Sequence, residues 1–171
     1  PAGLMAALYS LPLRALLCGL GLLAAALPRR AELALGRLFG RAALALGLFK
    51  DRVAAENIRR ALPELSGTAR RDLLARNYEH MGRLFFEYLH FFAPLPGHYR
   101  RYAEANSRLD GLEHWEAARA RGNGALIVSL HLGWWEMQAA SGGLAGMPLT
   151  VVTKALKPDW LHRLMTERRL S

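Results

Sequence analysis

At 171 residues the chain is long enough for one domain with a real core, and its single cysteine, Cys18, excludes an intramolecular disulfide. The 52% hydrophobic content is concentrated at the start, and so is the net charge of +9: residues 1–62 hold nine Lys and Arg against three Asp and Glu, and the rest hold fourteen against eleven. A basic first third beside apolar sequence points to an anionic membrane surface. No zinc-finger, nucleic-acid-binding or heptad pattern supports nucleic acid as a partner.

Leu4 to Leu27 is almost uninterrupted apolar sequence, broken by Pro12 and Arg14 and followed directly by Arg29 and Arg30. About 20 such residues span a bilayer, provided that Arg14 snorkels to an interface. The arginines after the run would leave the body of the chain in the cytoplasm. Residues 1–28 are therefore expected to form a transmembrane or membrane-anchor helix. A cleavable signal peptide ending near Ala24 to Ala26 and a buried core helix are the competing readings.

Glu32 to Leu62 reads as helix with few breaks. Arg30, Arg37 and Arg41 share one face, with Leu38, Phe39, Leu46 and Phe49 among the apolar residues. That pattern suits a helix at the lipid headgroup level and equally an amphipathic helix packed on the domain. Pro63 ends it. Ser66 and Thr68 offer caps for a helix whose apolar positions, Leu73, Leu74, Tyr78, Met81, Leu84, Phe85, Tyr88, Leu89 and Phe92, follow a three-and-four spacing. Core packing accounts for it, and neither His80 nor His90 needs a metal. The six histidines show no ligand spacing, so no metal or other cofactor is expected.

Pro94, Pro96 and Gly97 mark a loop, and the polar stretch Tyr99 to Ser107 carries no clear pattern. A helix from Gly111 to about Arg121 and the turn Gly122-Asn123-Gly124 lead into the apolar run Ala125 to Leu130, which reads as a buried strand of a parallel sheet. His131 stands at its carboxyl end, where α/β folds bind ligands. Glu136 opens a helix running to about Ser141, Leu149 to Lys154 reads as a second strand, and Asp159 to Leu170 as a last helix. Residues five apart on a continuous helix lie roughly 140° from one another. His131 and Glu136 therefore meet only if the chain bends, and Gly133 is where it can. An imidazole fixed by a carboxylate is a general base for a hydroxyl or thiol.

The element His131-Leu132-Gly133-Trp134-Trp135-Glu136, after an apolar strand and before a helix, resembles the His-x-Gly-Asn-Trp-Glu motif of the lipid A biosynthesis acyltransferases, the lauroyl and myristoyl transferases of bacterial inner membranes. Trp134 stands where Asn is common. Asn57 to Ser66 resembles the family's Asn-Leu-x-x-x-Phe-Pro-Glu segment, Gly82 to Glu87 its glycine-then-glutamate feature, and Gly111 to His114 its Gly-x-Glu-His element. The resemblance runs from about residue 30 to the end and matches the amino-terminal part of family members. It implies that residues 29–171 are the start of a βαβα acyltransferase core in a truncated chain.

The resemblance further implies that His131 and Glu136 are catalytic, and that Gly133, Trp134 and Arg169 contact substrate, Arg169 lying where the family places a functional arginine. The expected partners are a membrane, a lipid A precursor or related glycolipid as acceptor, and an acyl thioester on acyl carrier protein or coenzyme A as co-substrate. The expected location is the bacterial inner membrane with the catalytic side cytoplasmic. A glycerol-phospholipid acyltransferase shares this chemistry, but its motif begins Asn-His and ends in Asp. An esterase would need a Gly-x-Ser-x-Gly elbow around Ser129, which is missing. A non-catalytic membrane-binding fragment fits the first third and leaves His131 and Glu136 without a reason.

Overall fold

The computed structural model describes residues 2–152 and 154–170, with side chains from Leu11 to Glu167. Its elements are α1 (Ala2–Ala26), α2 (Arg29–Ala45), α3 (Asp51–Ala61), α4 (Gly67–Leu89) running into a 3-10 turn (His90–Phe92), α5 (His98–Asn106), α6 (Leu112–Ala120), α7 (Trp135–Leu144) and α8 (Asp159–Leu170). Close contacts divide the chain into two compact units, Leu11–Ala93 and, with the first ten residues, Pro94–Ser171.

The expected α/β architecture is not what forms: among the described residues there is helix and loop and no strand. A strand is held by hydrogen bonds to a neighbouring strand, and neither apolar run has one. Ala125 to Leu130 is exposed throughout, with Leu126 at 92% and Val128 at 84%. In the second run Leu149 is half-buried, Thr150 to Val152 are exposed with Val152 reaching 96%, and Thr153 lies outside the described residues. The expected membrane-anchor helix is corrected as well. Among the described residues no helix is long and apolar enough to cross a membrane. Inside α1 the apolar run is broken by Pro12 and Arg14.

The unit Leu11–Ala93 is built on the joint between α2 and α4. Glu32, Gly36, Gly40 and Ala43, spaced by three and four, form the buried line of α2, and Gly82 lies opposite on α4. A methyl group on Gly40 would meet the Tyr78 carbonyl oxygen at 2.0 Å, and one on Gly82 the Gly36 carbonyl oxygen at 2.1 Å. The two backbones therefore touch where only glycine fits. The same constraint seats α1, where a methyl on Gly21 would meet the Ala93 nitrogen at 2.4 Å.

The expected single helix from Glu32 to Leu62 is interrupted. Gly47, Phe49 and Lys50 all take positive φ, at 64°, 60° and 59°, which ends α2 and turns the chain into α3. Leu62, before Pro63, leaves helical geometry at φ −131° and ψ 64°. Ser66 then caps α4, accepting a hydrogen bond from the Ala69 amide at 3.2 Å. Of the two expected cap residues it is Ser66 that serves.

Carboxylates are buried along the joint and paired with arginines at its rim. Glu79 accepts from Arg41 at 2.5 Å and Arg37 at 3.2 Å. Glu87 accepts from Arg29, which also lies 3.0 Å from Glu32, and the His90 Nε2 is 3.3 Å from the Glu32 Oε1. The hydrogen bond from Arg41 holds the Glu79 carboxyl below its ordinary 4.5, against the opposing effect of burial. At Glu32 burial pushes upward, and hydrogen bonds from His90 and Arg29 outweigh it.

Carboxyls lowered in the folded state stabilise it above the unfolded-state value and cease to do so as pH falls through the folded one. Thermal unfolding followed by circular dichroism should thus show a midpoint that is flat near neutrality and drops below about pH 4.5. Glu79→Gln should flatten part of that dependence. Equal midpoints at pH 7 and pH 3 would contradict this role for the joint.

Candidate active site

The unit that carries His131 is organised by α5 and α7. On α5 the spacing of Tyr99, Tyr102 and Ala103 gives one buried face, and Met137 of α7 completes a cluster with Tyr102 and Ala103, against which Trp134, Ala140 and Leu144 pack. The Trp134 ring meets Tyr99 at 6.1 Å and Tyr102 at 5.7 Å between centroids, both inclined. These two tyrosines were not singled out in the sequence. Their i, i+3 spacing was the available signal, masked by the five Arg, Glu, Asn and His residues among them.

Between α6 and α7 the chain runs exposed to His131 and then reverses. Gly133 has φ +64° and open space where a side chain would sit, so it is the conformation and not crowding that favours glycine there. Two contacts nest around this bend. The His131 ring stacks on that of Trp135 at 4.7 Å and 28°, and the Ser129 hydroxyl donates to the side-chain Oε1 of Gln138 further along α7. The segment carrying the histidine is thus folded back on the first turns of the helix.

The candidate residues are placed as follows. His131 is solvent-exposed and lies against Trp135. Glu136 is buried at 8% exposure in the first turn of α7, the end of a helix where negative charge is favoured. Trp134 is half-buried, turned toward Tyr99 and Tyr102, and serves the packing under the loop. Arg169 falls within α8, and its side chain lies outside the described residues. Glu113 and His114, at the start of α6, are exposed and 3.8 Å apart. Among the described residues no group of three or more His, Cys, Asp or Glu side chains could hold a metal ion.

The geometry offers an accessible imidazole stacked on an indole at the head of a helix, with a carboxylate in that helix's first turn. These are parts suited to proton transfer at a substrate hydroxyl. The profile of the family described as bacterial lipid A biosynthesis acyltransferase matches residues 8–171, and the chain belongs to that family of acyltransferases. No individual curated protein and no solved structure matched it.

Proposed function

We propose that the chain moves a fatty acyl group from an acyl thioester to a hydroxyl of a lipid A precursor or a related glycolipid, with His131 as general base and Glu136 as its orienting partner. The observation that carries the reading is the reversal at Gly133, which sets an exposed imidazole against the first turn of the helix that contains Glu136. Family membership supports the reaction class and the lipid A-like acceptor.

In the reaction His131 takes the acceptor hydroxyl proton as the oxygen attacks the thioester carbonyl. Glu136 holds the ring and stabilises the imidazolium. The tetrahedral intermediate collapses with loss of thiolate, which takes the proton back from His131 and leaves as thiol. Trp135 keeps the ring from rotating freely, and the positive φ of Gly133 turns the loop back toward the helix.

The donor in this reading is acyl carrier protein or coenzyme A, the former an acidic protein that the arginines of α8, Arg163, Arg168 and Arg169, would attract. The reaction takes place at the cytoplasmic face of the bacterial inner membrane. Incubation with a labelled acyl thioester and a lipid A precursor, followed by mass spectrometry, should yield acceptor heavier by one acyl chain. Release of free fatty acid with the acceptor unchanged would replace the reading with hydrolysis. If acyl carrier protein docks through charge, the donor KM should rise with ionic strength and with charge reversal at Arg163. A donor KM indifferent to both would move the docking surface elsewhere.

A further inference from the structure

Around α2, at about 100° per residue, the side chains sort into three bands. The line Glu32, Gly36, Gly40, Ala43 is buried on α4. About 60–100° to one side of it lie Leu35 and Phe39, with Leu46 continuing the band at the helix end. About 100–140° to the other side lie Arg30, Arg37 and Arg41. The leucine band is not covered: Leu35 is 41% exposed and Leu46 73%, and Leu38 beyond it is 64% exposed. It continues onto α4, because the rings of Phe39 and Phe85 stack at 5.0 Å across the joint and Phe85 is itself 45% exposed. A contiguous apolar surface of this kind marks an interaction site more often than a scatter of single residues does.

Charge identifies the occupant. The three carboxylates of the joint, Glu32, Glu79 and Glu87, are buried, while the arginines that pair with them are partly exposed, Arg37 at 49% and Arg41 at 62% of their side chains. The joint therefore withdraws its negative groups and presents its positive ones, and the exposed Lys50 adds to them at the end of the leucine band. An apolar band with cations along one edge, where Arg41 follows Leu38 around the helix, suits acyl chains under anionic headgroups. We propose that the flank of α2 bearing Leu35, Leu38 and Leu46, continued by Phe85 of α4, docks on an anionic lipid surface.

The helix lies along the surface and does not cross it, and docking does not depend on the acyl-transfer reading. A chain that docks this way and transfers no acyl group would lose that reading and keep the surface.

The test places an environment-sensitive nitrobenzoxadiazole label at Leu35→Cys or Arg30→Cys in a Cys18→Ala background. Both positions are exposed, and they lie about 140° apart around the helix. Mixed with vesicles of phosphatidylglycerol and phosphatidylethanolamine, the label at position 35 should shift to the blue and become shielded from aqueous iodide, and that at 30 should respond much less. Vesicles of phosphatidylcholine alone should produce little change at either. Leu38→Glu with Leu46→Glu, both on well-exposed side chains, should weaken vesicle partition by about tenfold or more.

Binding to vesicles with no change at position 35 would assign the contact to the exposed leucines of α1 and overturn the proposal. So would an equal response to uncharged vesicles. A blue shift at 35 that grows with protein concentration in the absence of lipid would assign the band to a second copy of the chain.

Discussion

His131→Ala is expected to lower acyl transfer by about 10²–10⁴-fold, the range typical of a positioned general base. The side chain is exposed and touches the molecule through its stack on Trp135, so its removal opens no core cavity, and helical content should stay as in the parent. Glu136→Gln preserves shape and removes the charge that steadies the imidazolium. A fall of about 10²-fold or more is expected for it, with KM for either substrate changed far less than kcat. His114→Ala, at an exposed position on α6, should leave transfer close to that of the parent. Steady-state assays on proteins matched by circular dichroism read all three. A loss at His114 equal to that at His131 would show the assay to be reporting general disruption.

Gly40→Ala is expected to destabilise the unit Leu11–Ala93 by about 3 kcal/mol, at the upper end of overpacking costs. Intrinsic propensity acts in the opposite direction, since alanine favours a helix interior by about 1 kcal/mol over glycine. The contact decides the sign. The added carbon falls 2.0 Å from the Tyr78 carbonyl oxygen and 2.9 Å from the Glu79 Cα, and these are backbone atoms that cannot rotate away. Relief requires α2 and α4 to separate, which also stretches the bonds from Arg37 and Arg41 to Glu79. Gly19→Ala, a helical position of α1 with nothing within 4 Å, should be neutral or slightly stabilising. Denaturant unfolding of the two variants separates packing from propensity, and equal stabilisation by both would contradict the close joint.

The helices that sequence pattern made legible are those whose own periodicity determines them. The three-and-four spacing from Leu73 to Phe92 became α4 and the turn after it, and Asp159 to Leu170 became α8. The family's glycine-then-glutamate feature acquires a physical reason: Gly82 lets the backbones of α2 and α4 touch, and Glu87 pairs with Arg29. The bend expected at Gly133 forms, with φ +64°.

What was not legible depends on partners. Ala125 to Leu130 has strand composition, but composition supplies no neighbouring strand, and the segment stays open. Gly47, Phe49 and Lys50 interrupt a stretch that reads as one helix, and left-handed turns at Phe49 and Lys50 are not the habit of those residues. Of the two even readings of the Arg30 to Phe49 stretch, the packed one describes the band of α2 that lies against α4, while another band of the helix is left exposed.

The role of His131 is tested most directly by chemical rescue, since its exposed position leaves room for free imidazole where the side chain is removed. A folded His131→Ala protein, supplied with acyl thioester and lipid A precursor, should transfer at a rate near background. Added imidazole should raise that rate in proportion to the concentration of its neutral form, and should not change the parent enzyme. A folded His131→Ala protein that transfers acyl groups at the parent rate without imidazole would contradict the general-base account.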